Sequence, residues 1–212
     1  MSKYKVLAVD PLSKNTVRLR AERPNVKIRA GQCFNVGVPG MGINREYSMY
    51  SPEDAPFLEF LIRVVDGGHV STRLAELRVG DEIEIDGPYG TFCLPHKTQD
   101  KKFLFIASGT GVAPFHSFVK SVAGLDYLLV HGIRHPEEAC EEQTFDSGCY
   151  VPCISQNDRG QSKRVTDFVR NNIPKSETMV YLCGNRNMII DTVEILLENG
   201  VRGDQIVTEV FF

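Results

Sequence analysis

Apolar positions follow one rhythm in the first half of the chain and another in the second. Up to about residue 100 they come in short alternating runs, YKVLAV, TVRLRAE, FLEFLIRVV and DEIEIDG, separated by Gly, Pro, Asn and Asp. Alternation with period two places one apolar face on each strand and predicts an antiparallel β structure. Only HVSTRLAEL, from His69 to Leu77, has helical spacing there. Beyond that point the runs are continuous: FLFIAS, YLLVHG, YVPCIS, MVYLCG and IVTEVFF. Strands of this kind are buried on both faces, as in a parallel sheet covered by helices. The helices are predicted in VAPFHSFVKSVA, PEEACEEQTF, RVTDFVRNN and NMIIDTVEILLENG. The expected architecture is therefore two domains. An antiparallel β-barrel or sandwich over residues 1–97 precedes an α/β parallel-sheet domain over residues 98–212, with Pro95–Lys102 as the linker.

Composition adds mainly exclusions. A chain of 212 residues buries a substantial core without staples. Its net charge of -3, with no long run of one sign, implies neither nucleic acid nor an anionic membrane surface as a partner. The start, MSKYKVLAVDPLSKN, lacks a sustained apolar stretch, and nothing later approaches the length of a membrane span, so a cytoplasmic protein without membrane insertion is expected. In that compartment Cys33, Cys93, Cys140, Cys149, Cys153 and Cys183 are expected as thiols. Their spacing matches no zinc site and no iron–sulfur cluster run, so no metal ligands are assigned.

Two stretches carry candidate chemistry. SGTGVAPF, Ser108 to Phe115, directly follows a strand run. Gly109 and Gly111 let backbone amides approach a phosphate, and the helix that follows points its positive end at the same anion. It is neither a Walker A loop nor the full GxGxxG fingerprint, and a glycine pair often serves only to make the turn. GINREYSMYSPED, Gly42 to Asp54, places Arg45 and Tyr47 on one face of an extended segment and Ser48 on the other. That arrangement suits a large, flat, anionic ligand; a strand-edge salt bridge, a core tyrosine and a turn serine are the structural alternative.

These stretches belong to an ordered set. Arg45-Glu46-Tyr47-Ser48, Gly67-Gly68-x-x-Ser71, Gly87-Pro88-Tyr89-Gly90, Gly109-Thr110-Gly111-Val112-Ala113-Pro114 and Cys183-Gly184-x-x-x-Met188 follow one another along nearly the whole chain. In this it resembles the ferredoxin–NADP reductase family, flavoproteins with an antiparallel barrel for FAD and an α/β domain for NADP(H). The resemblance implies that Arg45 pairs with the FAD pyrophosphate, Tyr47 packs along the flavin, and Ser48 hydrogen-bonds near its hydride-accepting nitrogen. Arg63 and Gly68, Val70, Ser71 and Thr72 would form a second FAD contact. Gly109, Thr110 and Gly111 would face the NADPH pyrophosphate, with Arg134 a further nucleotide contact.

By the same resemblance Ser155 stands where a 2′-phosphate is bound, but Gln156 replaces the arginine common in NADP-dependent members, and Arg164, beside Lys163, is expected to supply the cation. Cys183 and Gly184 would flank the nicotinamide. Glu209 would orient Ser48 or relay a proton, and Phe211 or Phe212 would stack on the flavin. Hydride transfer needs no general base, and His69, His116 and His131 are assigned no catalytic part. The implied activity is hydride exchange between NADPH and FAD and single-electron exchange with a ferredoxin or flavodoxin. A flavin reductase or diaphorase, or an electron-transfer subunit of a larger complex, would use the same residues.

Overall fold

The computed structural model describes residues 1–139, 141–156 and 162–211. The chain divides into two compact units, Met1–Leu94 with His116–Ser121, and Pro95–Phe115 with Val122–Phe212.

The first unit contains β1 (Ser2–Ser13), β2 (Thr16–Glu22), β3 (Cys33–Gly37), β4 (Asn44–Ser48), β5 (Phe57–Arg63) and β6 (Glu82–Tyr89). They lie in the order β4-β3-β6-β1-β2-β5, with every pairing antiparallel. A bridge between Met49 and Phe60, and the Tyr50 amide on the Glu59 carbonyl at 2.8 Å, join the two ends of that order. This closes the sheet as a barrel and leaves no open edge. Alternation fills the interior: Leu58, Phe60 and Ile62 of β5 are fully buried against Leu19, Phe34 and Ile83. On the opposite face of β5, buried Glu59 accepts two hydrogen bonds from Arg20 at 2.8 and 3.0 Å, which offsets the cost of desolvating its charge. The helix α1 (His69–Ala75) inserts Val70 and Leu74, one turn apart, into the same core.

The second unit contains β7 (Lys102–Ser108), β8 (Asp126–Ile133), β9 (Tyr150–Ile154), β10 (Thr178–Asn185) and β11 (Ile206–Phe211). All pair in parallel, in the order β11-β10-β7-β8-β9. Its helices are α3 (Val165–Asn171) and α4 (Arg186–Glu198), together with the Ala113–Phe115 start of α2 (Ala113–Ser121), the rest of which is counted with the first unit. Leu104 and Ile106 of β7 pack with Val165 and Val169 of α3 and Ile189 and Ile195 of α4. Phe105, pointing the other way, stacks on Phe115 of α2 at 4.8 Å between ring centroids. Helices therefore cover both faces, which is why these strands are continuously apolar. The chain adds β8 and β9 to one side of β7, then crosses back to add β10 and β11 to the other. Strand order thus reverses between β7 and β10, whose carboxyl ends form the crevice where open α/β sheets bind ligands.

One expectation fails. PEEACEEQTF does not form a helix: Pro136–Glu138 and Glu142–Thr144 are separate 3₁₀ turns, and Glu141 adopts a left-handed φ of 59°. Four glutamates set like charges four residues apart, at 137 and 141 and at 138 and 142, which disfavours a continuous helix. Cys140 lies outside the described residues. Residues 95–101, expected as a linker, carry neither helix nor strand, and Lys102 already begins β7.

Candidate functional site

In the first unit the Met49–Phe60 bridge sets β4 beside β5, bringing the REYS strand next to the strand that ends at Arg63. Arg45 is exposed, and its guanidinium donates to the Asn44 carbonyl at 2.8 Å. Among the described residues neither Arg45 nor Arg63 forms an ion pair with a carboxylate. Tyr47 packs its ring toward Phe60, with centroids 6.4 Å apart, and burial pushes its phenol up to about 12, partly opposed by the nearby Arg45 charge. Its hydroxyl therefore stays protonated and able to donate. Ser48 is buried, opposite Cys33 of β3 in register. Two guanidinium groups with no carboxylate partner among the described residues, and a half-buried phenol, fit a flat anionic cofactor such as FAD.

Gly68 precedes α1 with no side-chain cap. The Ser71 hydroxyl accepts the Val65 amide at 3.2 Å, while Thr72 is half-buried. The Val70 side chain belongs to the barrel core, so only its backbone amide is available to a ligand.

In the second unit Ser108 ends β7, and Gly109–Val112 form one 3₁₀ turn that runs directly into α2. Gly109 has a left-handed φ of 53°. Gly111 has no room for a side chain, because a β-carbon there would strike the Cys183 carbonyl and come within 2.8 Å of the Gly184 Cα. The turn with Gly109, Thr110 and Gly111 thus rests on the end of β10, across the β7–β10 crevice. The Ser108 hydroxyl accepts the Asn185 amide at 2.8 Å, tying the two strand ends together. Asn185 also caps α4, its side chain accepting the Asn187 and Met188 amides. A glycine turn at a helix start beside a switch crevice fits the phosphates of a nucleotide.

Cys183 is fully buried and pairs in register with Glu209 of β11. Its thiol donates to the Glu209 carboxylate at 3.6 Å. Phe211 pairs with Asn185 at the end of β11 and is half-buried, while Phe212 lies outside the described residues.

The sheet edge gathers the remaining predicted residues. The Ser155 amide and hydroxyl both donate to the Ile133 carbonyl, at 2.9 and 3.2 Å, and the Gln156 amide donates to the Arg134 carbonyl at 2.8 Å. The Lys163 amide returns to the Ile154 carbonyl at 2.9 Å, and the Arg164 amide donates to Asp167 at 3.1 Å. Arg134, Lys163 and Arg164 are exposed, and none forms an ion pair with a carboxylate among the described residues.

Asn185 and Tyr150 escaped the sequence reading as parts of this region, as did the contacts that Ser108 and His131 make with them. Asn185 carried a signal, an N-cap residue between the Cys-Gly pair and a helical run. Tyr150 and the contacts of Ser108 and His131 did not, because the partners lie on different strands.

Comparison with known proteins agrees with this arrangement. The family described as "Oxidoreductase FAD-binding domain" matches residues 3–93, and "Oxidoreductase NAD-binding domain" matches residues 105–194. A ferredoxin NADP+ reductase from Neisseria gonorrhoeae, crystallised with bound FAD and NADP, superposes with a TM-score of 0.84 at 28% identity, covering 100% of this chain and 98% of that one. The reductase component of propane 2-monooxygenase from Rhodococcus jostii is 28% identical over 98% of this chain and 62% of its own length. The ferredoxin–NADP reductase of Azotobacter vinelandii is 25% identical over 82% of this chain and 80% of its own. The chain spans about 62% of the length of the first curated relatives it matches.

Proposed function

Since the chain belongs to the ferredoxin–NADP reductase family of FAD- and nicotinamide-nucleotide-binding oxidoreductases, we propose that it moves electrons between NADPH and a separate ferredoxin or flavodoxin through FAD. The observation that carries this reading is the Gly109–Val112 turn packed on the end of β10 at the strand-order switch, with Cys183 buried at the rim. Bound FAD supplies the exchange between two-electron hydride chemistry and one-electron transfer.

The chain's own residues bind, orient and exclude water. Residues 1–97 form the FAD domain in this reading, and residues 98–212 the coenzyme domain. Arg45 meets the FAD pyrophosphate with a planar, permanently charged fork, and Arg63 and the amides of Gly68, Val70, Ser71 and Thr72 add to that contact. Tyr47 lies along the flavin, and Ser48 donates a hydrogen bond at its reactive nitrogen. The Gly109, Thr110 and Gly111 backbone cradles the coenzyme pyrophosphate. Arg134, Ser155 and Arg164 receive the adenosine end, and Arg164 with Lys163 gives NADPH its advantage over NADH. Cys183, Gly184 and Glu209 bound the nicotinamide, where alignment rather than acid–base chemistry sets the rate. A cytoplasmic location belongs to the same reading; no described helix is long and apolar enough to cross a membrane.

A second reading, an electron-transfer component of a larger oxygenase-type assembly, draws support from the longer reductase components among the relatives. Steady-state assays of the FAD-loaded protein with NADPH separate the two. Fast reduction of added ferredoxin or flavodoxin supports the first. Reduction of free flavin or dyes alone, with no turnover of either carrier, contradicts it.

A further inference from the structure

We propose that His131, held by Tyr150, is a positioning residue that aims the Thr110 amide of the glycine turn at the coenzyme phosphates. The inference rests on the coenzyme reading given above. It is carried by a three-part chain across the sheet: His131 Nε2 lies 2.8 Å from the Gly109 carbonyl oxygen, and His131 Nδ1 lies 2.8 Å from the Tyr150 hydroxyl. A carbonyl oxygen only accepts, so Nε2 carries the proton, and neutral Nδ1 accepts from the tyrosine. Tyr150 is itself held by stacking on Phe145, with centroids 5.3 Å apart and planes 8° from parallel.

The consequence lies in peptide geometry. The Gly109 carbonyl and the Thr110 N–H share one planar trans peptide unit and point in opposite directions. Fixing the oxygen on His131 therefore directs the Thr110 N–H away from the imidazole. Glycine tolerates both signs of φ, so without this anchor the peptide can rotate. A rotated peptide presents a carbonyl oxygen to an anion and repels it. His131 is only 3% exposed, so solvent does not compete for either ring nitrogen.

The test uses the FAD-loaded protein with NADPH and NADH in steady-state assays. His131→Phe removes both ring nitrogens, whereas His131→Gln keeps a donor at the Nε2 position. Tyr150→Phe keeps the ring stacked on Phe145 and removes only the hydroxyl. One hydrogen bond's worth of binding predicts that His131→Phe raises the coenzyme KM about tenfold with kcat changed less than about twofold. His131→Gln should recover most of that affinity, and Tyr150→Phe should fall between. Nitrogen-15 NMR of the unsubstituted protein should show His131 in a single Nε2–H tautomer. An Nδ1–H tautomer, or an unchanged KM in both His131→Phe and Tyr150→Phe, would overturn the inference while leaving the coenzyme reading intact. Wild-type protein that binds neither coenzyme would overturn that reading and the inference with it.

Discussion

The carbonyl oxygen of Cys183 occupies the space that a side chain at Gly111 would need. Two strand ends thus meet with only backbone between them, so the turn after β7 and the end of β10 are set as one surface. Gly111→Ala must push them apart and is expected to destabilise the second unit by about 1–3 kcal/mol, the usual cost of overpacking. It should also weaken coenzyme binding while the flavin remains bound. Thermal unfolding and coenzyme titration check this; full stability and affinity would mean that the contact is slack.

Ser48 is buried on the strand that also carries Arg45 and Tyr47. Ser48→Ala is expected to slow flavin reduction by NADPH by about tenfold, the worth of one hydrogen bond at the reacting atom, with FAD still bound. Stopped-flow kinetics under anaerobic conditions measure it. An unchanged rate removes Ser48 from the reaction.

Arg164 stands exposed beside Lys163, whose amide donates to the Ile154 carbonyl at the end of β9 at 2.9 Å. Its replacement by alanine should raise the KM for NADPH at least about tenfold, the loss of one charge-assisted phosphate contact, and leave NADH nearly unaffected. Equal losses for both coenzymes would refute a phosphate role.

Burial holds the His131 imidazole down to about 4, below its ordinary value of 6.5. As pH falls, the unfolded chain therefore takes up the proton first. The resulting stability is fully present above about 6.5 and is lost progressively toward about 4, up to roughly 3 kcal/mol in all. Denaturant unfolding of wild type and His131→Gln across this window should differ in slope, the variant being flatter. Parallel slopes would show that His131 does not remain neutral in the folded state.

Much of the architecture was legible because it depends on local periodicity. FLEFLIR alternates, and Leu58, Phe60 and Ile62 fill the barrel; FLFIAS is continuous because Leu104 and Phe105 face helices on opposite sides of the sheet. PEEACEEQTF misled because apolar spacing was outweighed by repulsion among its glutamates. In the candidate site, Gly111 was read as a glycine that lets backbone amides approach a phosphate, whereas the group packed against it, the Cys183 backbone, comes from a distant strand. His131 was assigned no catalytic part, and its positioning contacts were not legible for the same reason: its two partners, Gly109 and Tyr150, become neighbours only when β8 lies between β7 and β9. Val70 shows the reverse, a residue whose place in a motif said nothing of its side chain, which helps fill the barrel core.

Hydride transfer from a nicotinamide coenzyme to bound FAD is tested most directly by anaerobic mixing of the FAD-loaded protein with NADPH deuterated at the nicotinamide C4. The flavin spectrum should bleach, more slowly with the deuterated coenzyme than with ordinary NADPH. A protein that takes up no FAD, or a bound flavin that neither NADPH nor NADH bleaches, would contradict it.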